Sequence, residues 1–268
     1  MKAIVDARRR RYARSMTGHG LEIGALGNPM SLPFAAGVLY SDVLTGEQID
    51  GMYPGSRHPD VISDSERFPT VASETLDFVV ANHVLEHLTD PLKALMEWHR
   101  ILKPGGRLLL SVPDKRYTFD HRRKRTSLKH LEEDHRSSAS PQVRNECHLM
   151  EWAEHVEGLI PGTPELDAWV AEQKSRGYAV HNHVWVLQDV LEILSYLRRI
   201  HGVLFVLMKW RNTSFLGNEF NLLLQKETSA RLIHTLRPPI ARLCALAMHP
   251  FHELMSRIRR EARRLHGA

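Results

Sequence analysis

Four short constellations, each closing an apolar run, hold the residues whose types and spacing could do chemistry. The first is Glu22-Ile23-Gly24-Ala25-Leu26-Gly27-Asn28. Glycines there let backbone N–H groups come close to a ligand, and the acid suits a cationic ligand group. A plain strand-to-helix turn is the alternative. The second is Asp42, twenty residues after Glu22, the distance at which an acid takes the ribose hydroxyls of a nucleoside cofactor. A solvated turn aspartate is its alternative. The third, Asp64-Ser65-Glu66, offers a side-chain acceptor for an adenine amino group. The fourth runs from Asp77 through Asn82, His83, Glu86 and His87 to Gly106. His87 on its own reads as a packing histidine. The order and spacing of all four together point to a nucleoside-cofactor site.

The elements that must position these groups are strands and helices in alternation. Leu21–Ile23, Val38–Tyr40, Val61–Ile62 and Leu76–Val80 read as four short strands, the last with the β-branched and aromatic content of a buried parallel strand. Asp90-Pro91 opens a helix, with Asp as N-cap and Pro at the first position. Its core face is Leu92, Leu95, Met96 and Leu102, and Lys103-Pro104-Gly105-Gly106 stops it before a fifth strand, Arg107–Val112. A short basic helix over residues 1–18 precedes the first strand. Such alternation predicts an α/β fold, doubly wound and Rossmann-like, with a mostly parallel sheet covered on both faces. After residue 114 the alternation breaks. Residues 115–185 form a polar, His- and Arg-rich helical insertion, including a helix from Thr163-Pro164 to Gly177. Residues 186–227 return with a helix from Leu187 and two strands, Val203–Met208 and Phe220–Leu224, joined by a loop short enough for antiparallel neighbours. Residues 228–268 form a basic amphipathic tail.

The run from Leu21 to Pro113 resembles class I S-adenosylmethionine-dependent methyltransferases, in the subgroup with Val84-Leu85-Glu86-His87-Leu88 after strand four. Phe220-Asn221-Leu222 is similar to that family's last strand. The resemblance implies a seven-stranded sheet with the last strand antiparallel, and S-adenosyl-L-methionine as cofactor. It implies that Glu22, Gly24, Ala25 and Gly27 hold the methionine end, that Asp42 takes the ribose, and that Asp64 with Ser65 takes the adenine. Asn82 and His83 would border the methyl group. The usual glycine-rich turn has glycine where this chain has Leu26 and Asn28, so the course of the turn stays open. A nicotinamide dehydrogenase would want Gly-x-Gly-x-x-Gly, whose middle glycine is absent here, and the strand-four signature favours the methyl donor.

Methyl transfer to oxygen needs an aligned nucleophile and a base near neutral pH, which makes His83 the catalytic candidate; a role as cofactor shelf is the alternative. Base-methylating enzymes carry Asn-Pro-Pro-Tyr where this chain has Asn82-His83, so nucleic acid is not the expected partner. The insertion is the expected acceptor lid. Its seven histidines (121, 130, 135, 148, 155, 181, 183), with Asp120 and Asp134, make a divalent metal conceivable. Their spacings match no ligand motif, and solvated helical histidines are the expectation. A polar lid suits a hydroxylated small molecule, and relatives of this subgroup often occur beside sugar-modifying enzymes, which points to a saccharide acceptor.

Composition constrains the rest. The 268 residues carry a net charge of +5, 43% hydrophobic and 25% charged residues, ordinary for a globular protein. The charge is local: from Thr228 onward eight Arg face two Glu, which is +6 and leaves −1 for the body. The tail's apolar positions, Ile240, Leu243 and Leu246, then Leu254, Ile258 and Leu265, share helical faces. Packing on the body or a second subunit is the first expectation, peripheral contact with the inner membrane face the second. No apolar run approaches the ~20 residues of a membrane span. No apolar stretch follows Arg8–Arg11, and Cys147 and Cys244 form no disulfide or zinc pattern, so a cytoplasmic location is expected. A cofactor-binding protein of the same fold without turnover is the competing reading outside the enzymes.

Overall fold

A computed structural model of the chain describes residues 9–25, 28–33, 36–214 and 217–227. Seven strands lie in one sheet in the order β3-β2-β1-β4-β5-β7-β6: β1 Gly18–Ile23, β2 Ala36–Asp42, β3 Val61–Ile62, β4 Leu76–Asn82, β5 Leu102–Pro113, β6 Phe205–Arg211 and β7 Glu219–Lys226. β1 to β5 pair in parallel, and β7 runs antiparallel to both β5 and β6. The doubly wound Rossmann-like fold with an antiparallel last strand is therefore present. Six α-helices lie wholly within the described residues: α1 Gly46–Met52, α2 Pro91–Ile101, α3 Leu128–Arg136, α4 Pro141–Trp152, α5 Pro164–Arg176 and α6 Leu187–His201.

Period-two alternation along the strands builds a core on each face of the sheet. On one face Ile23, Val79, Ala81, Leu108, Leu110 and Leu222 pack against Leu92, Leu95 and Trp98 of α2 and Val190, Ile193 and Leu197 of α6. On the other, Phe78, Val80, Leu109 and Leu223 pack against Tyr12, Ala13, Met16 and Met30. The basic N-terminal segment thus covers one sheet face, and helix is described only over residues 9–13. Gly20 permits the close approach of β1 to β4, since a Cβ there would sit 2.3 Å from the Phe78 ring.

Local signals act where expected, with two differences. Asp90 caps α2 by accepting from Lys93 N–H at 2.9 Å, with Pro91 in the first turn. α5 ends in a left-handed Gly177. However, Lys103–Gly106 does not interrupt the sheet: β5 already begins at Leu102, and the register slips between Leu76↔Leu102 and Phe78↔Arg107. Gly105, at φ +81°, absorbs that irregularity. β1 also starts earlier than its apolar residues suggest, because Gly18, His19 and Gly20 pair with β2 despite weak strand propensity. The insertion has its own small core of Leu149, Trp152, Ala153, Leu166, Val170 and Val180. It returns beside the carboxyl end of β5 through the parallel bridge Asp114↔Trp185. Residues 228–268, and with them the expected amphipathic tail, lie outside the described residues. Among the described residues no helix is long and apolar enough to cross a membrane.

Candidate active site

Ligands of open α/β sheets bind beyond the carboxyl ends of the strands where the winding reverses. Here that point lies between β1 and β4, adjacent in the sheet but far apart in sequence. A cavity of about 200 Å³ opens there, lined by Glu22, Gly24 and Ala25 from the end of β1, Asn82 and His83 from the end of β4, and Arg9 and Asn28. A narrow cleft lies at the end of β2, lined by Tyr40, Ser41, Asp42, Ile49 and Arg57; Ala25 borders both.

Glu22 is 2% exposed, and both its carboxylate oxygens accept from Met30 N–H, at 2.9 and 3.1 Å. Burial nonetheless pushes its carboxyl up to about 7, against that hydrogen bond and the Arg9 charge. A desolvated carboxylate facing a cavity suits a cationic ligand group. Gly24 holds φ +63°, and its N–H is fixed by Ser41 O at 2.8 Å. Asp42, raised by burial, is buried at the end of β2, where its Oδ1 accepts from Leu44 N–H at 3.0 Å. Asn82 is held by a 2.7 Å bond from Ser111 Oγ to its Oδ1. These residues fit a nucleoside carrying an ammonium: an acid for the cation, an acid for hydroxyls, and an open left-handed turn between them.

Asp64 and Ser65 are not brought to either cavity wall. The exposed Asp64 turns inward on its own loop, its Oδ1 accepting from Glu66 and Arg67 N–H at 3.0 and 3.1 Å. Ser65, at φ +67°, accepts at its carbonyl from Trp98 Nε1 at 2.9 Å. Gly27 lies outside the described residues.

His83 sits at φ +55°, a backbone region that a non-glycine residue occupies only when its surroundings hold it there. Its Nε2 donates to Glu219 Oε2 at 2.7 Å, and Glu219 also accepts from Arg9. Burial alone would raise the Glu219 carboxyl, yet the His83 and Arg9 hydrogen bonds bring it down to about 2. With Nε2 committed as donor, the lone pair of His83 is on Nδ1, 4.0 Å from Glu86 Oε1.

Glu86 is 1% exposed, and neither carboxylate oxygen has a hydrogen-bond partner among the described residues. Three imidazole nitrogens surround its Oε1: His83 Nδ1, His87 Nε2 at 3.9 Å and His181 Nε2 at 4.0 Å. The last two rings are oriented from behind, since His87 Nδ1 donates to Val180 O at 2.8 Å and His181 Nδ1 to Asp120 Oδ2 at 2.7 Å. Burial would raise Asp120, but His181 and Arg123 hold it below the usual range. The insertion thus closes over the strand-four signature: His183 N–H donates to Glu86 O at 3.0 Å and Asn182 Nδ2 to His87 O at 2.8 Å.

Arg9, Glu219, Tyr40 and the grouping of Glu86 with His181 were not singled out in the sequence. Glu219 carries a usable signal, an acid at the head of a strand whose centre is the apolar run Leu222–Leu224; the others depend on contacts between remote segments. The histidines of the insertion also depart from expectation. His148 and His183 are 4% and 0% exposed, and burial brings His148 down to about 4 and His183 well below its ordinary value.

The sheet order and its antiparallel last strand are those of a class I S-adenosylmethionine-dependent methyltransferase domain. The methyltransferase-domain family matches residues 12–155, more than half of the 268, and the chain belongs to that family. S-adenosylmethionine is the cofactor that membership carries. Among solved structures, the CurJ carbon methyltransferase is 16% identical with a TM-score of 0.44; the match covers 85% of this chain, which spans only 54% of that one. A proposed zinc-dependent alcohol dehydrogenase from Rhodobacter sphaeroides is 14% identical with a TM-score of 0.52, covering 83% of this chain and 90% of the other. That likeness is one of fold alone. An uncharacterised 37.1 kDa protein in a transposon of Streptomyces fradiae is 45% identical over 40 residues, 15% of this chain and 12% of that protein.

Proposed function

We propose that this chain methylates a hydroxyl group of a small polar acceptor, a saccharide being the class best suited to its lid. The observation that carries this reading is the imidazole of His83, beside the cavity, with Nε2 held by an anionic carboxylate and Nδ1 turned toward a buried, unpartnered one. S-adenosylmethionine supplies an electrophilic methyl group on sulfur. Glu22 takes its ammonium, Asp42 its ribose hydroxyls, and Asn82 borders the reacting end. His83 Nδ1 would take the proton of the acceptor hydroxyl and Glu219 would stabilise the imidazolium so formed, while the bound donor would supply the methyl group to the oxygen and leave as its neutral thioether, S-adenosylhomocysteine. His87 and His181, partly exposed beside the buried Glu86, offer hydrogen bonds to neighbouring hydroxyls, which is why a polyol suits this wall.

Transfer of labelled methyl groups to a panel of mono- and disaccharides tests the reading. His83→Ala is expected to lower turnover by ~10²-fold or more with little change in cofactor affinity. A loss confined to cofactor binding makes His83 a shelf and moves the base to His181, whose Nδ1–H is fixed by Asp120 in the same way. Methyl transfer to no acceptor, from extracts or the panel, favours the cofactor-binding protein without turnover. Peripheral membrane contact through residues 228–268 is a further part of this reading and rests on the sequence pattern of that segment alone.

A further inference from the structure

A second group of side chains lies deeper in the insertion, away from the cofactor cavity. His130 and Asp134 are one turn apart on α3, His148 is on α4, and His183 is on the returning segment. Each directs one ligand atom into a group whose members all lie within 4.8 Å of one another. His130 Nε2 is 3.1 Å and His183 Nε2 4.0 Å from Asp134 Oδ2. The His148 and His183 rings are 5.0 Å apart, and His130 lies 5.6 and 5.7 Å from them. Four atoms around a tetrahedral ion with bonds of 2.0–2.1 Å sit roughly 3.3–3.4 Å apart, so small side-chain rotations close the shell.

The polar balance of this pocket is what asks for an ion. His183 is fully buried, and neither ring nitrogen makes a hydrogen bond of good geometry, although the Leu88 carbonyl is close enough to favour its protonated form. Asp134 Oδ2 is buried, and His130 Nε2 at 3.1 Å is its close partner among the described residues. A buried imidazole whose nitrogens lack good partners bears its desolvation penalty. The backbone that carries His183 is held in place. Val184 N–H donates to Thr126 Oγ1 and Thr126 N–H to Val184 O, both at 3.0 Å, and His183 N–H donates to Glu86 O, so the segment is fixed before any ion enters.

We infer that His130, Asp134, His148 and His183 bind one divalent zinc-type ion. Three imidazoles and one carboxylate are the donor set of a borderline ion; magnesium and calcium take oxygen shells. Four protein ligands leave no open position, which is the pattern of a structural site. The ion ties α3, α4 and residues 181–185 together, two residues from His181, and so sets the wall that faces Glu86. The assignment rests on the ligand group and stands whether or not the acceptor is a saccharide.

Full-length protein, made without a polyhistidine tag or chelator, is expected to carry about one zinc per chain by mass spectrometry of the metal. Adding ZnCl2 to metal-stripped protein is expected to raise its melting temperature. His148→Ala and Asp134→Ala should each weaken zinc binding by at least about a hundredfold, because losing a group that merely orients a ligand already costs about 10–100-fold. His87→Ala, in the neighbouring histidine group, should leave it unchanged. Cobalt substitution should give the visible bands of a tetrahedral site, lost with His148→Ala and kept with His87→Ala. Wild-type protein that retains no metal and whose melting is indifferent to ZnCl2 overturns the assignment without recourse to any variant. Zinc binding that survives His148→Ala together with Asp134→Ala, or that His87→Ala abolishes, also overturns it.

Discussion

Replacing Glu22 with glutamine separates what the cofactor site costs the fold from what it gives the ligand. Burial lifts the Glu22 carboxyl from 4.5 to about 7. A carboxyl with a higher pKa folded than unfolded binds more protons in the folded state across that interval. Stability therefore falls as pH rises from about 4.5 to 7, and the penalty is complete above 7. At about 1.4 kcal/mol per pH unit the interval amounts to roughly 3 kcal/mol. In a chain of this size each kcal/mol moves the melting temperature by about 2–4 °C. Glu22→Gln keeps an acceptor for Met30 N–H and removes the buried charge. At pH 8 the variant should melt several degrees above wild type, up to about 10 °C, with the gap closing by pH 5. Cofactor affinity should move the opposite way: loss of the charge-assisted bond to the ammonium weakens S-adenosylhomocysteine by at least about tenfold. Thermal melts from pH 5 to 8, with calorimetry at pH 8, read both effects. A variant less stable than wild type at pH 8, or a gap equal at both ends of the range, would refute the reasoning. Wild-type affinity in the variant would place the ammonium elsewhere.

Three further outcomes follow from the same geometry. Asp42→Ala should weaken cofactor binding by at least about tenfold with unchanged circular dichroism, since charge-assisted bonds to ribose contribute ~1.5–3 kcal/mol each; unchanged affinity would move the ribose site. Glu219, held down to about 2 by His83 and Arg9 despite its burial, stabilises the fold fully above pH 4.5 and loses that contribution as pH falls toward 2. Glu219→Gln should therefore flatten the acid limb of the stability curve in that window, and an unaltered limb would contradict the pairing. If residues 228–268 contact a membrane, full-length protein should float with anionic liposomes at low salt and a chain ending at 227 should not; full-length protein that stays soluble would sink that idea.

The sheet was legible because its signals are local. β-branched runs, the Asp90-Pro91 cap and the Gly177 stop each act within a few residues, and all three stand in the structure. The positions of Glu22, Asp42, Asn82 and His83 were legible too, since each lies at or just past the end of a strand, and those ends must face the same side of a parallel sheet. Asp64 was placed by the same logic; its Oδ1 accepts within its own loop, and the residue lines neither cavity. What sequence could not reach depends on remote segments meeting. Arg9 and Glu219 meet across 210 residues, and His181 and His183 reach Glu86 only because the insertion folds back. The histidines of the insertion looked solvated because their linear spacing matches no ligand motif; α3, α4 and the returning segment bring four of the group's residues to one point.

Calorimetric titration of the wild-type chain with S-adenosylhomocysteine and, separately, with NAD tests the central claim most directly. The cavity between the ends of β1 and β4, with Glu22 on its wall, and the adjoining cleft at the end of β2, with Asp42, predict micromolar binding of the sulfur nucleoside, roughly −8 kcal/mol, and no measurable binding of NAD. Binding of NAD more tightly than S-adenosylhomocysteine, or no heat from the sulfur nucleoside at all, would contradict the account.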